Sequence, residues 1–313
     1  MSVNENLPLH LKYRPEELDQ FAGNESMIDS IVSVLSRDKG RPQAYLLYGP
    51  AGTGKTSLAR IIMRRYGVSD FDLKELNAAD TNGVDDIRAI SSTISMAPLS
   101  GKCRGFILDE SHMLTPQAQN ALLKTLEEPP AHAVFVICTT DPQKLLKTIL
   151  SRCTQYETSL LTSRRMVKLL KDILAKEGIE NYPENILVEV AKVAEGSPRN
   201  ALKILDQVID ITDDSKAIAA VKGFKTDEAL VDDICKIMVS AARSWKEMRE
   251  LLLSFKGDPE SCRRAILGWL TNIALRENPH RASALIDIFA EPYYNTGKAG
   301  LVRDCYYGCD PDR

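Results

Sequence analysis

"AYLLYGPAGTGKTSLAR", residues 44–60, runs from an apolar stretch through a glycine-rich turn into a helical pattern. Within it, "GPAGTGKTS" (49–57) fits the phosphate-loop spacing G-x-x-x-x-G-K-[ST], in the strand–loop–helix setting that gives the pattern its meaning. Gly49, Gly52 and Gly54 let the backbone turn its N–H groups inward around phosphates. Pro50, Ala51, Thr53 and Ser57 are counted with the loop. Lys55 is placed to reach terminal phosphates, and the Thr56 hydroxyl is placed for Mg²⁺.

Around this loop, residues 1–160 alternate short β-rich runs with helical patterns, as a parallel sheet with crossover helices requires. Strands are predicted at 44–48, "LKELN" (73–77), "GFILD" (105–109) and "AVFVICT" (133–139). The first, third and fourth are nearly continuous apolar runs, as strands buried on both faces should be. "TPQAQNALLKTLEE" reads as a helix with Thr115 as N-cap and Pro116 at its first position. "FILDE" ends a strand in two acids. Asp109 is a candidate Mg²⁺ ligand through the metal's water shell, and Glu110 a candidate for polarising an attacking water. "CTTD" closes the next strand, so Thr139 or Thr140 is expected to face the same phosphate.

Beyond residue 160 the periodicity turns helical. Three helices over 161–213 form a small all-α unit, with Pro198 near the start of the third, and 214–313 reads as a further helical domain. The chain of 313 residues, 44% apolar and 27% charged, has ordinary globular composition. Its net charge of −3 gives no bulk case for nucleic acid. No run approaches the ~20 apolar residues of a membrane span, and the N-terminus lacks a signal peptide's apolar core. The seven scattered cysteines are expected to be reduced, which points to the cytoplasm.

Five segments occur in the order seen in the AAA+ ATPases that load sliding clamps for DNA polymerases. They are "YRPEELDQFAGNESMIDSI", "LYGPAGTGKTSLAR", "LDESHMLTPQAQNALLKTLEEPP", "TTDPQKLLKTILSRC" and "GSPRNALKILDQ". The chain resembles the bacterial tau/gamma subunit and the small subunits of replication factor C over residues 12 to about 210. The resemblance implies an α/β AAA+ ATP-binding domain (1–160), a three-helix lid (161–213) and a helical collar for oligomerisation (214–313). It implies ATP and Mg²⁺ as ligands. The implied partners are a ring-shaped sliding clamp, primer–template DNA and other loader subunits in a pentamer-like assembly.

Residue by residue, the resemblance places Tyr13, Arg14 and Pro15 near the adenine, Thr140 at the first sensor and Arg199 at the second, contacting the γ-phosphate in cis. Arg152, in "SRC", becomes a finger that serves the adjacent subunit's nucleotide. Met96, Ala97, Pro98 and Leu99 match a clamp-docking segment, and the "DTNGVDD" loop, Arg88 and Lys102 are candidate DNA contacts. The bacterial pattern has a cysteine zinc module between the phosphate loop and the acidic pair. Here that interval holds only Cys103, so no zinc is expected. The sequence also stops after the third domain without a polymerase-binding tail, a compactness expected of a viral or minimal loader. Two alternatives share parts of the pattern: a Holliday-junction branch-migration motor, and a loader stator that donates Arg152 without hydrolysing ATP.

Overall fold

In the computed structural model, residues 7–80, 83–224, 227–240, 243–255, 258–276, 279–293 and 296–310 are described. Thr81 and Asn82 of the "DTNGVDD" loop, and the last three residues of the chain, lie outside them. The chain divides into two compact units, Met1–Asp210 and Ile211–Arg313.

The first unit opens with α1 (Leu9–Lys12) and α2 (Glu25–Leu35). It continues through β1 (Ala44–Tyr48), α3 (Lys55–Arg65), β2 (Val68–Asn77), α4 (Val84–Thr93) and β3 (Cys103–Asp109). Then come α5 (Pro116–Glu127), β4 (Ala133–Thr139), α6 (Lys147–Leu150) and β5 (Thr154–Glu157). Helices α7 (Ser163–Lys176), α8 (Glu184–Val193) and α9 (Pro198–Val208) close the unit. The five strands form a parallel sheet in the order β2-β3-β4-β1-β5.

Side chains alternate across this sheet, so one run of apolar residues feeds two cores. Tyr45 and Leu47 of β1 pack with Ile31, Leu58 and Ile62 on one face. Ala44 and Leu46 pack with Ile90, Leu122 and Phe135 on the other. Every residue of β4 is buried, which explains why its sequence carries no alternation. Phe106 of β3 stacks on Phe135 of β4 with ring centroids 5.0 Å apart.

Strands β1 and β4 have the bounds read from the sequence, helix α5 starts where it was read and ends one residue earlier at Glu127, and the Thr115 hydroxyl accepts from the Ala118 N–H at 3.2 Å. Two strand expectations need correction, and a fifth strand was not foreseen. β2 begins at Val68 rather than 73, because its polar first half still pairs with the start of β3 after a register irregularity. β3 begins at Cys103 rather than 105, extended by the same pairing. The strand β5, "TQYE", was not expected at all. It is short and polar, and becomes a strand because Thr154–Glu157 find hydrogen-bond partners along β1.

The second unit contains α10 (Asp214–Lys222), α11 (Asp227–Val239), α12 (Trp245–Ser254), α13 (Pro259–Arg276), α14 (Pro279–Ile288) and α15 (Gly297–Cys309). Among its described residues there is no strand. Its core gathers Ile234, Met248, Ile266, Leu285, Phe289 and Leu301. A buried polar knot crosses that core. The Glu260 carboxylate accepts from Arg263 at 2.6 and 2.9 Å and from the Tyr293 N–H at 2.8 Å. Arg263 in turn donates to the carbonyls of Phe289 and Ala290. No described helix is long and apolar enough to cross a membrane.

Two consequences can be measured. Phe135→Ala removes half of a buried stacked pair and is expected to cost about 3–5 kcal/mol, read by urea denaturation. The hydrogen bonds from Arg263, then that from the Tyr293 N–H, lower the Glu260 pKa from 4.5 to about 2. A depressed carboxylate stabilises the folded state above its unfolded pKa and loses that contribution as pH falls through the folded one. The 211–313 unit should therefore lose stability between pH 4.5 and about 2, and Glu260→Gln should flatten that part of the denaturation profile.

Candidate nucleotide site

The site forms where the C-terminal ends of β1, β3 and β4 come together. Tyr48 at the end of β1 pairs with Thr139 at the end of β4, and Leu108 of β3 pairs with Ile137. The loop leaving β1 therefore sits directly over the acids that end β3. Gly49 has φ +143°, and a Cβ built on it would collide with the backbone carbonyl of Thr158. Thr158 was not singled out from the sequence, yet it anchors the loop: its N–H donates to Tyr48 O at 2.8 Å, and its hydroxyl meets that of Thr53 at 2.7 Å. Gly52 has φ +74° and lies against the Ser197 hydroxyl, so the loop approaches the start of α9 more closely than any side chain would permit.

Lys55 is buried, and its Nζ donates to the carbonyls of Gly49 and Pro50 at 2.8 and 2.9 Å. Burial lowers its pKa, with Glu110 the largest opposing influence. The Thr56 hydroxyl donates to Asp109 Oδ2 at 2.5 Å, and Asp109 Oδ1 accepts from the Glu110 N–H at 2.9 Å. Glu110 adopts a left-handed backbone, φ 48° and ψ 40°, uncommon for a residue with a Cβ. Thr139 is fully buried, and Thr140 is half-buried just beyond it.

A cavity beside the loop brings together Tyr13, Arg14, Pro15, Gly52, Thr53, Gly54, Ser57 and Arg199. Pro50 and Ala51 are exposed at the loop's crown. The cavity also includes His10, Gln20, Phe21, Leu169 and Leu202, which the sequence did not nominate. No spacing rule links them to the loop. His10 and Leu202 meet through α1 packing on α9, where the Leu9 N–H donates to Asp206, Leu169 lies on α7, whose C-cap Glu177 pairs with Lys12, and Phe21 lies against Gly54. Ser197 was also missed, although "SPRN" carried a capping signal; its hydroxyl accepts from the Asn200 N–H at 3.3 Å.

These residues fit a polyphosphate and Mg²⁺. N-cap Gly54 offers α3 no capping side chain, which leaves the first-turn N–H groups for an anion. Burial lowers Arg14 as well as Lys55, and the nearby Arg60 and Arg199 push Arg14 further down. These cations are desolvated at a cost that an anion would offset. The Thr56 hydroxyl and Asp109 carboxylate are hard oxygen donors of the kind Mg²⁺ takes.

Arg152 lies apart from this cavity. Its guanidinium pairs with Glu127 of α5 and donates to Thr148 O at 2.8 Å. Met96 and Leu99 are exposed, 57% and 80%, on a loop whose Leu99, Ser100 and Gly101 N–H groups all donate to the buried Asp72 carboxylate. Phe71 beside Asp72 is 82% exposed. Arg88 pairs with Asp85, and the Lys102 stem packs on Gly67. All seven cysteines are free, and no cluster of three or more His, Cys, Asp or Glu suited to a metal occurs among the described residues.

The family model described as DNA polymerase III, delta subunit matches residues 68–161. The chain is 35% identical over 254 residues to the DNA polymerase III subunit tau of Escherichia coli strain K12, covering 74% of this chain and 39% of that protein. It is 36% identical over 227 residues to subunit tau of Bacillus subtilis strain 168, covering 66% and 40%. Over this stretch the chain is similar to DNA polymerase III tau subunits. It spans about two fifths of the length of these relatives. A solved structure titled Thermotoga maritima RuvB Holliday junction branch migration motor matches this chain with a TM-score of 0.59. That match covers 77% of this chain and 85% of the other at 19% identity, a likeness of fold.

The contact between the phosphate loop and Thr158 can be tested without any ligand. Gly49→Ala must displace backbone on both sides of the contact and adopt a strained φ. It is expected to cost roughly 2 kcal/mol or more in chemical denaturation.

Proposed function

We propose that this chain is an ATP-hydrolysing subunit of a sliding-clamp loader. ATP binding would favour an assembly that opens the clamp on primer–template DNA, and hydrolysis, stimulated by that DNA, would release the closed clamp. The observation that carries the reading is the convergence of Lys55, Thr56, Asp109 and Glu110 at the C-terminal ends of the central strands while Arg152 stands outside the cavity. An arginine so placed suits a neighbour's site better than its own. The intact set also favours hydrolysis over a stator role, which needs none of these four residues. A branch-migration motor has the likeness of fold alone, and the identity to tau subunits favours the loader.

Phosphoryl transfer needs positioning and charge stabilisation more than covalent participation. Mg²⁺, held by Thr56 and through water by Asp109, would neutralise charge on the phosphate oxygens. Lys55 would exchange its two carbonyl partners for terminal phosphate oxygens, a favourable trade for a desolvated ammonium. Glu110 would orient the attacking water and accept its proton. Thr140 and Arg199 would contact the γ-phosphate from the end of β4 and the start of α9, and Tyr13, Arg14 and Pro15 would line the base. Arg152 would leave Glu127 for a neighbour's transition state, where such fingers are worth ~10³ or more in rate.

In this reading residues 161–213 act as a lid and 214–313 as a collar for companion subunits, in a pentamer-like cytoplasmic assembly. The exposed loop at Met96–Leu99 would dock on the clamp, with the Asp72 carboxylate holding it in shape.

The deciding experiment assays Lys55→Ala and Arg152→Ala for primer–template-stimulated ATP hydrolysis, separately and mixed. Each alone should fall by ~10³-fold or more, the scale of a lost finger, and mixing should restore part of the turnover through sites that pair an intact loop with an intact finger. A mixture that stays inactive after subunit exchange is demonstrated would overturn the shared site.

A further inference from the structure

We propose that His112 is a positioning residue for Glu110, with its Nδ1–H orienting the Glu110 carboxylate and fastening it to the end of β4. The kinetic consequence rests on the ATPase reading above, while the contact itself does not.

Glu110 departs from the regular strand at its left-handed backbone and enters a short 3-10 turn, Ser111–Met113. The buried Ser111 hydroxyl donates to Leu108 O at 2.7 Å, and the Met113 N–H donates to Glu110 O at 2.9 Å. This turn carries His112 back over the strand ends. Its side chain is largely buried, 14% exposed against 39% for Glu110. One ring nitrogen, Nδ1, lies 3.5 Å from Glu110 Oε2 and 3.2 Å from Thr139 Oγ1.

The tautomer follows from these partners. An unprotonated Nδ1 could accept from the Thr139 hydroxyl but would then set its lone pair 3.5 Å from a carboxylate oxygen, an unfavourable arrangement. A proton on Nδ1 makes both contacts favourable: a hydrogen bond to Thr139 at 3.2 Å and a longer electrostatic contact to Glu110 Oε2 at 3.5 Å. Thr139 can accept it. Its hydroxyl oxygen has two acceptor positions and already takes the Asp141 N–H at 3.1 Å. Thr139 itself is fully buried in β4, so it cannot follow the imidazole. The chain of contacts runs from a fixed strand end through one ring to a carboxylate on a strained backbone. Without the ring, the Glu110 side chain would keep its place in the turn and lose its preferred direction. A role in nucleotide affinity is not expected, because His112 contacts the acid and not the loop that cradles phosphates.

The test combines kinetics with a ligand-free measurement on the full chain. His112→Ala should lower kcat by about tenfold or more, the scale of a lost positioning interaction, with KM for ATP and nucleotide affinity little changed. His112→Asn should recover most of that loss, since its side-chain amide can place an N–H where Nδ1 stood. In histidine-labelled protein, the His112 resonance, assigned by its disappearance in His112→Asn, should report the Nδ1–H tautomer and shift toward Nε2–H in Glu110→Ala. A rise in KM at constant kcat, an Asn variant as impaired as Ala, or an Nε2–H tautomer in the wild type would each overturn the proposal. A wild type that hydrolyses no ATP yet shows the Glu110-dependent Nδ1–H tautomer would overturn the ATPase reading alone and uphold the contact.

Discussion

The candidate site depends on β1 lying between β4 and β5 in a parallel sheet buried on both faces. With Tyr48 opposite Thr139 and Ile137 opposite Leu108, three strands end at nearly the same level. The register is held by the two cores, because a one-residue slip would send the side chains packed in one core into the other. The phosphate loop therefore leaves β1 beside the ends of both β4 and β3. The 2.5 Å hydrogen bond from Thr56 to Asp109 joins the start of the helix that follows β1 to the end of β3, two strands that flank β4.

Around that frame the protein stores unfavourable features in one place. Lys55 and Arg14 are desolvated cations, Gly49 and Gly52 have positive φ against close neighbours, and Glu110 holds a left-handed backbone. Each persists because packing elsewhere over-determines it. Thr158 and Ser197 press on the loop glycines, and the buried Thr139 sits under His112. A polyanion arriving in this setting would meet donors already oriented and partly stripped of water, so less reorganisation would remain to be done.

Legibility in the sequence followed physical strength. β1 and β4 were readable to the residue because burial on both faces demands continuous apolar runs. Helix α5 was readable because Thr115 and Pro116 satisfy specific N-terminal needs. The first half of β2 and all of β5 were not, since their residues are polar and their strand state comes from a neighbour's unpaired backbone. The phosphate loop and the acid pair were legible because their chemistry lies within a few consecutive residues. His10, Phe21, Thr158 and Leu202 were not, because they reach the site by packing across large sequence separations.

By itself, then, the sequence determined the parallel α/β core, the helical remainder and the residue types at the phosphate loop and its acids. Local spacing and periodic burial suffice for those. Only the tertiary structure decided that Arg152 stands on Glu127 outside the cavity, that Asp72 shapes the exposed loop through Leu99, and that one nitrogen of His112 lies between Glu110 and Thr139. Those contacts join residues from separate elements, and their distances are set by strand register and helix packing, which no local pattern encodes.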